Sequence, residues 1–234
     1  MARVHAAITL RTGGVSAAPC DTLNLGIHVG DDPAAVAENR RRVRETLQLP
    51  SEPAWLEQVH GIDVADLDAT TPAKRADAAV TRTPGKVCAI QVADCMPVLF
   101  ATKNAAAIGA AHAGWRGLAG GVLEATIAAM RADPAETYAW LGPAISQQHF
   151  EVGDEVRAAF IGRDPAAAGA FTQNARQRWQ CDLYALARQR LSALGVRNIS
   201  GGRWCTYEDR SRFFSFRRDG RCGRMAALIW LSSA

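Results

Sequence analysis

Lysine and histidine are both scarce in this chain of 234 residues. It contains three lysines, Lys74, Lys86 and Lys103, and five histidines. Arginine therefore carries nearly all of the positive charge, and the net charge is only +4. No dense block of basic residues alternates with aromatic ones, which argues against a nucleic acid as the main partner. The most basic stretch, 210–224, is expected to be mostly a solvated strand and turn, with an anion site as the alternative.

Long hydrophobic runs and signals for secretion are also missing. A membrane helix needs roughly eighteen or more consecutive apolar residues, and the chain has no such run. The N-terminal segment MARVHAAITLRTGG lacks the apolar core of a signal peptide. We therefore expect a cytoplasmic protein without a membrane partner. The six cysteines are scattered and form no CxxC pair, which predicts free thiols rather than disulfides or a structural zinc site.

Two common nucleotide-binding motifs are absent as well. Neither GxGxxG after a first strand nor GxxxxGK[ST] occurs, which argues against a Rossmann or P-loop enzyme. Predicted strands and helices alternate without a regular βαβ repeat, and no linker or internal repeat divides the chain. The sequence therefore predicts an α/β or α+β fold with mixed sheets covered by helices, as a single domain over residues 1–234.

Hydrophobic periodicity predicts the individual elements. Asp32 and Pro33 should begin a helix that turns Val36, Val43 and Leu47 inward. A second helix is predicted over about 117–130, and two more at EVGDEVRAAF and at CDLYALARQRLSALG. Strands are predicted at VHAAITLRT, at AWLEQVHGIDVADL as two strands turning after the histidine, and at DAAVTRT, KVCAIQVA, PVLFAT, AAAIGAAHA, YAWLGPAI, VRNIS, RFFSFRR and RMAALIWL.

Three short segments each end a hydrophobic run on a residue that can bind a transition metal. They supply His60 in WLEQVHG, Cys95 in CAIQVADCMP and His112 in AAIGAAHAGWRG. These three residues are too far apart in sequence to lie on one helix or in one zinc finger, so only tertiary folding could bring them together. Two imidazoles and a thiolate would leave a tetrahedral Zn²⁺ one open position, as in catalytic sites. A lone histidine at a strand end is more often structural. His5 and His149 have no partner nearby in sequence, and we expect both to be structural or exposed.

Four other residues are candidates for substrate binding. Arg116, at the predicted start of a helix, could hold phosphate, with a surface salt bridge as the alternative. Asn24 could bind a ligand hydroxyl or simply form a loop. His28 could line a pocket or pack within its loop. Asp94 could orient a histidine through a hydrogen bond, or serve as a turn residue.

Several segments, in order, resemble the YfiH/laccase-domain family. They are DTLNLGIHVGDDPAAVAENR, WLEQVHG, ADCMPVLF, GAAHAGWRG, LGPAIS and FFSFRRDGRCGRMAALIWL. The family has been described as multicopper polyphenol oxidase, peptidoglycan editing factor and purine nucleoside phosphorylase. The resemblance runs almost from end to end and implies an α/β fold similar in layout to a group of cysteine hydrolases. It also implies zinc bound by the residues that match His60, Cys95 and His112.

The activity that the resemblance implies is phosphorolysis of adenosine, inosine and methylthioadenosine to base and sugar 1-phosphate, with adenosine deamination in the same pocket. The partners would then be a nucleoside and phosphate. For deamination, zinc would lower the pKa of a water molecule. For phosphorolysis, Arg116 would hold the phosphate, while Asp94 and His28 are candidates for the acid that protonates the departing base.

Three other functions remain as alternatives. A multicopper oxidase needs about ten histidines for its copper centres, and this chain has five. One copper ion in the predicted site is still compatible with the Irving–Williams order. A zinc or cysteine hydrolase acting on peptidoglycan precursors would use the same residues, with Cys95 as nucleophile. The third alternative is a non-enzymatic protein that binds metal or nucleotide.

Overall fold

The computed structural model describes residues 3–233. The strands are β1 (Arg3–Ile8), β2 (Val64–Asp66), β3 (Ala78–Thr81), β4 (Val87–Val92), β5 (Met96–Thr102), β6 (Ile108–Ala113), β7 (Thr137–Leu141), β8 (Glu151–Val152), β9 (Phe171–Gln173), β10 (Trp179–Cys181), β11 (Asn198–Gly201) and β12 (Met225–Ser232). The α-helices are α1 (Pro33–Thr46), α2 (Trp115–Gly120), α3 (Val122–Met130), α4 (Asp154–Ile161), α5 (Leu183–Ala193) and α6 (Phe216–Asp219). Within the described range, none of these helices combines the length and apolar character needed to cross a membrane.

The strands form three sheets, and the largest is mixed. Its order is β11-β7-β5-β6-β3-β2, with parallel pairs at its two edges and antiparallel pairs between them. A second, antiparallel sheet has the order β1-β12-β4, and a small third sheet has the order β8-β10-β9. The predicted mixed α/β fold is therefore confirmed.

The large sheet is buried on both faces. Along β5, Val98 and Phe100 pack into one core cluster with helices α3 and α5, whereas Leu99 between them packs into another with β4 and β12. This alternation is the side-chain period of a strand. The outer face of the second sheet is covered in turn by α1 through Val43. Burial on both faces explains why β3, β4 and β6 are buried at every position and are mostly apolar rather than alternating.

Four predicted elements differ from the structure. In the segment EVGDEVRAAF, Glu151–Val152 is strand β8 and the helix begins only at Asp154. The helix predicted over 117–130 is two helices, because Gly121 adopts a positive φ of 111° that ends α2 and begins α3. RFFSFRR is not a strand: Ser215 accepts a hydrogen bond from the Arg218 N–H and caps the short helix α6. In the segment AWLEQVHGIDVADL, only Val64–Asp66 forms a named strand within the described chain.

Candidate functional site

The structure brings His60, Cys95 and His112 together. One ligand atom from each lies within 4.8 Å of the other two. The sulfur of Cys95 is 3.9 Å from His60 Nε2, and the two imidazole rings meet edge to face with centroids 4.8 Å apart. His60 is exposed, Cys95 is half-buried and His112 is buried, so the cluster extends from the surface into the protein interior.

Strand register brings two of these side chains together. His112 in β6 pairs with Pro97 in β5, which places it beside the turn that carries Cys95. His60 reaches the same point from a loop that Gln58 pins to β4: the Gln58 side chain donates to the Gln91 carbonyl at 2.9 Å and accepts from the Gln91 N–H at 2.8 Å. A side chain of this loop thus forms the pair of hydrogen bonds with β4 that a neighbouring strand would form with its backbone.

A residue that the sequence analysis missed, Asp77, connects the two histidines. Its fully buried carboxylate accepts a hydrogen bond from His112 Nδ1 at 2.8 Å. It also accepts from the backbone N–H groups of Val59, His60 and Gly61, at 3.1, 2.9 and 2.6 Å. Because a carboxylate can only accept here, Nδ1 of His112 carries the proton and Nε2 is left to face the cluster. One available signal was an acidic residue directly before the apolar run of residues 78–80.

Electrostatics couple Cys95 to His112. Burial raises the pKa of the Cys95 thiol, but the charge and hydrogen bond of His112, together with His60, outweigh it and lower that pKa below its ordinary value. Burial likewise lowers the pKa of His112, whereas Cys95 and Asp77 raise it above the ordinary value of an imidazole. Each group therefore favours the charged form of the other, a thiolate beside an imidazolium, and a bound cation would take the place of the imidazolium proton.

Two cavities meet at this cluster, and both are lined by His60, Cys95 and Phe216. Their volumes are about 230 and 280 Å³, and together they offer the space of a small-molecule site. The first is further lined by Ala93, Asp94, Trp115, Arg116, Ile145, Phe150, Leu183 and Arg217. The second is further lined by His28, Gln58, Gln91, Val92, Ala93, His112 and Arg224.

Arg116 and His28 both lie on the cavity walls, as their predicted roles require. The exposed guanidinium of Arg116 sits over the Trp115 ring, 4.4 Å from its centroid. Among residues 3–233 no carboxylate lies within 4 Å of it, so the surface salt bridge left open by the sequence is not formed there. Burial, followed by the charge of Arg224, lowers the pKa of His28 and favours its neutral form.

Asp94 and Asn24 each take the second of the two roles that the sequence left open, a turn residue and a loop-forming residue. Asp94 does not orient a histidine, because its carboxylate accepts from Thr206 Oγ1 and from the Arg217 N–H, both at 2.6 Å. It still lines the first cavity. Asn24 is fully buried and lines neither cavity; its amide donates to Gly26 and Asp31 and accepts from the backbone N–H groups of Gly26 and Arg224. Its hydrogen bonds are used to build the loop, which leaves none for a ligand hydroxyl.

The two remaining histidines lie outside this cluster. His5 stacks on Trp230 with ring centroids 5.4 Å apart and contacts the Ser232 hydroxyl at 3.1 Å. His149, for which the sequence offered no partner, is 2.9 Å from a carboxylate oxygen of Glu208. Glu208 is distant in sequence, so only folding makes it a partner.

Known proteins are similar to this chain over nearly its whole length. A family model described as multi-copper polyphenol oxidoreductase laccase matches residues 5–232. The purine nucleoside phosphorylase YfiH of Escherichia coli is 52% identical over 97% of this chain and 94% of its own. A crystal structure of a Neisseria meningitidis protein is 50% identical, has a TM-score of 0.94, and covers 98% of this chain and 95% of its own. A hypothetical protein YfiH of Bacillus licheniformis has a TM-score of 0.90 at 31% identity, covering 97% of this chain and 92% of its own.

Proposed function

Because this chain belongs to the family described as multi-copper polyphenol oxidoreductase laccase, whose curated relatives include purine nucleoside phosphorylases, we propose that it is a purine nucleoside phosphorylase. Its substrates would be adenosine, inosine and methylthioadenosine. Deamination of adenosine in the same cavities is the second activity that we propose. The placement of Cys95 and His60 where two cavities meet, beside the arginine Arg116, is the observation that carries this proposal.

The donor atoms at the cluster fit one transition-metal ion. Two imidazoles and a thiolate are ligands of zinc, and the hydrogen bond from His112 to Asp77 is the arrangement that fixes a ligating imidazole. We propose zinc held by His60, Cys95 and His112, with copper as the alternative. When bound, the ion supplies a Lewis-acidic positive charge beside the cavities. Several copper centres do not fit, because the chain has only five histidines.

Arg116 is the proposed phosphate ligand. Phosphorolysis forms a bond from a phosphate oxygen to the ribose C1′ and breaks the bond from C1′ to the purine nitrogen, which then takes up a proton. Two facts support Arg116 in this role: it lines the first cavity, and no carboxylate of the described chain neutralises it. The guanidinium of the neighbouring Arg217 already donates to the carbonyls of His149 and Glu151, and is less free to bind a ligand.

Phe216 is the proposed contact for the purine base. Its ring is 57% exposed although it lines both cavities, and Arg224 lies 5.9 Å from its centroid. An exposed aromatic face at the mouth of a cavity is unfavourable in water, and stacking of a planar base would cover it. The half-buried rings of Trp115 and Phe150 add apolar wall to the first cavity.

The deciding experiment is to incubate the protein with adenosine or inosine, with and without phosphate, and to identify products by chromatography alongside metal analysis. We expect free base and ribose 1-phosphate only when phosphate is present, and inosine from adenosine without it. Cys95→Ala should abolish base release and metal binding at the cluster of His60, Cys95 and His112 while the circular dichroism spectrum is kept. Cys20→Ala, a buried free cysteine outside both cavities, is the matched control. Normal turnover of inosine by Cys95→Ala would overturn the proposal.

One observation favours a second candidate, a cysteine hydrolase acting on peptidoglycan precursors. The thiol of Cys95, the imidazoles of His60 and His112 and the carboxylate of Asp77 reproduce the nucleophile, base and orienting acid of a thiol hydrolase. A thiolate bound to zinc is a poor nucleophile, so the two candidates differ in metal content. Full activity in metal-free protein, together with its loss after alkylation of Cys95, would favour the hydrolase.

A further inference from the structure

A second group of metal-binding side chains lies outside the cluster at Cys95. His149 follows β7 in a loop, and Cys205 and Glu208 follow β11 in a turn. One ligand atom from each lies within 4.8 Å of the others. His149 Nε2 is 2.9 Å from Glu208 Oε1. All three side chains are half-buried or exposed, so an ion in solution could reach them.

The backbone on which these residues stand is held in place by other contacts. A short parallel bridge joins Ala144 to Cys205, and the Thr206 N–H donates to the Ala144 carbonyl at 3.0 Å. The His149 ring stacks on Tyr207 with centroids 4.3 Å apart and planes inclined by 14°. The loop and the turn therefore face each other before any ion binds, which reduces the entropy lost on binding.

Arg218 and Ser146 complete this arrangement. The Arg218 guanidinium donates to the carbonyls of Thr206 and Tyr207, both at 2.8 Å, and so fixes the turn. The Ser146 N–H donates to the Cys205 sulfur at 3.4 Å. The hydroxyl of Ser146 is buried and has no hydrogen-bond partner among residues 3–233. An unpartnered buried polar group is costly, and this one belongs to the residue whose N–H donates to the sulfur.

We propose that His149, Cys205 and Glu208 form a second binding site for a zinc-like divalent cation. An imidazole, a thiolate and a carboxylate are all zinc ligands, and the two negative groups balance a charge of 2+. Zinc binds these ligand types at about 2.0–2.3 Å, so donor atoms that already lie within 4.8 Å of one another need only small shifts to surround an ion. The hydrogen bond from His149 to Glu208 is then replaced by two bonds to the ion.

This second ion would stabilise the wall of the first cavity rather than take part in the reaction. Thr206, next to Cys205, donates to the Asp94 carboxylate, and the Ile145 N–H donates to the Asp94 carbonyl at 3.0 Å. Asp94 directly precedes Cys95, and Ile145 and Phe150 both line the first cavity. An ion that joins the loop to the turn therefore fastens the segment on which these cavity residues stand.

The test replaces Cys95, the thiolate of the first cluster, and asks whether Cys205 still binds a metal ion. Metal-free Cys95→Ser protein is titrated with Co²⁺, because a cobalt–thiolate bond gives a charge-transfer absorption in the near ultraviolet. We expect this band in Cys95→Ser and its loss in Cys95→Ser/Cys205→Ser. Cys95→Ser/Cys20→Ser is the matched control and should keep the band. A missing band in Cys95→Ser, or a band that survives in Cys95→Ser/Cys205→Ser, overturns the proposal.

Zinc stoichiometry gives a second measurement that does not depend on removing a cysteine. The wild-type chain should bind two equivalents of Zn²⁺, whereas His149→Gln and Glu208→Gln should each bind one tightly and the other at least about tenfold more weakly. His5→Gln and Glu45→Gln change an exposed histidine and an exposed glutamate elsewhere and should still bind two. Zinc binding that is the same in wild type, His149→Gln and Glu208→Gln would contradict the second site, whether or not the protein turns over nucleosides.

Discussion

Asp77 Oδ1 lies 2.8 Å from His112 Nδ1, and both side chains are buried. The same carboxylate accepts the backbone N–H groups of residues 59–61, which carry His60. One acidic side chain thus sets the tautomer of one proposed ligand and the position of another. Because Asp77 is fully buried, its charge is compensated only by these partners, and replacement should affect both stability and metal binding.

Asp77→Asn should lower metal affinity by about 10–100-fold and destabilise the protein by about 3 kcal/mol. Each carboxylate oxygen accepts two hydrogen bonds, so either orientation of the new amide turns an NH₂ group toward N–H donors. Isothermal titration with Zn²⁺ and urea unfolding measure the two effects. Asp68→Asn is the matched control, since Asp68 also accepts hydrogen bonds from a loop backbone but away from the cluster. Wild-type metal affinity in Asp77→Asn would refute this role.

Gly114→Ala should weaken metal binding and activity by about tenfold or more while the fold is kept. The backbone at Gly114 has φ −63° and ψ 158°, which alanine adopts without strain. The added Cβ would stand 2.8 Å from the Cys95 sulfur and 3.2 Å from His60 Cδ2, so both proposed ligands must move. In Gly169→Ala the new Cβ meets no described atom within 4 Å, and this control should behave as wild type. Steady-state rates and zinc titration compare the two variants.

Arg116→Ala should raise the KM for phosphate by about 10–100-fold, because a charged hydrogen bond to an anion contributes about 1.5–3 kcal/mol. The KM for the nucleoside should change less. Arg116→Lys should recover part of the loss, since it keeps the charge but not the planar fork. Arg44→Ala removes an exposed arginine of α1 and serves as the control. An unchanged KM for phosphate in Arg116→Ala would remove this residue from the proposed site.

Asp68 should make stability depend on pH in the acidic range. Burial raises the pKa of this carboxyl, but hydrogen bonds from Arg82, Thr81 and other neighbours lower it from 3.8 to about 2. A pKa lowered by folding stabilises the protein above the unfolded value, and this stabilisation is lost as the pH falls through the folded one. Asp68→Asn should therefore cost about 2 kcal/mol at pH 7. The difference in free energy of unfolding between wild type and Asp68→Asn should become smaller between pH 4 and pH 2.

Urea unfolding of wild type and Asp68→Asn at pH 7, 5, 4 and 3 measures this dependence. Glu57→Gln changes an exposed carboxylate whose side chain makes no hydrogen bond among residues 3–233, and its difference from wild type should stay small at every pH. A deficit of Asp68→Asn that stays constant from pH 7 to pH 3 would show that the charge of the carboxylate is not responsible.

The elements were predicted well where local rules decide them. Helix α1 begins at Pro33 behind the Asp32 cap, and α5 begins behind the Asp182 cap, as their sequences indicate. The prediction failed at Phe216–Asp219, where an apolar and basic run typical of a strand is a short helix. There the Arg217 N–H donates to the carboxylate of Asp94, a partner 123 residues away that no local pattern reveals.

The sequence by itself determined the mixed α/β class and the residue types able to bind a metal, because periodicity, caps and donor chemistry are local properties. Tertiary structure decided which of these residues meet. The β3–β6 register pairs Ala78 with Ala111 and so places Asp77 beside His112, although the two are 35 residues apart. Tertiary structure likewise joined His149 to Glu208, and the Asn24 side chain to the Arg224 N–H. Such contacts depend on how distant strands align, and this alignment follows from burial of the whole sheet rather than from any one segment.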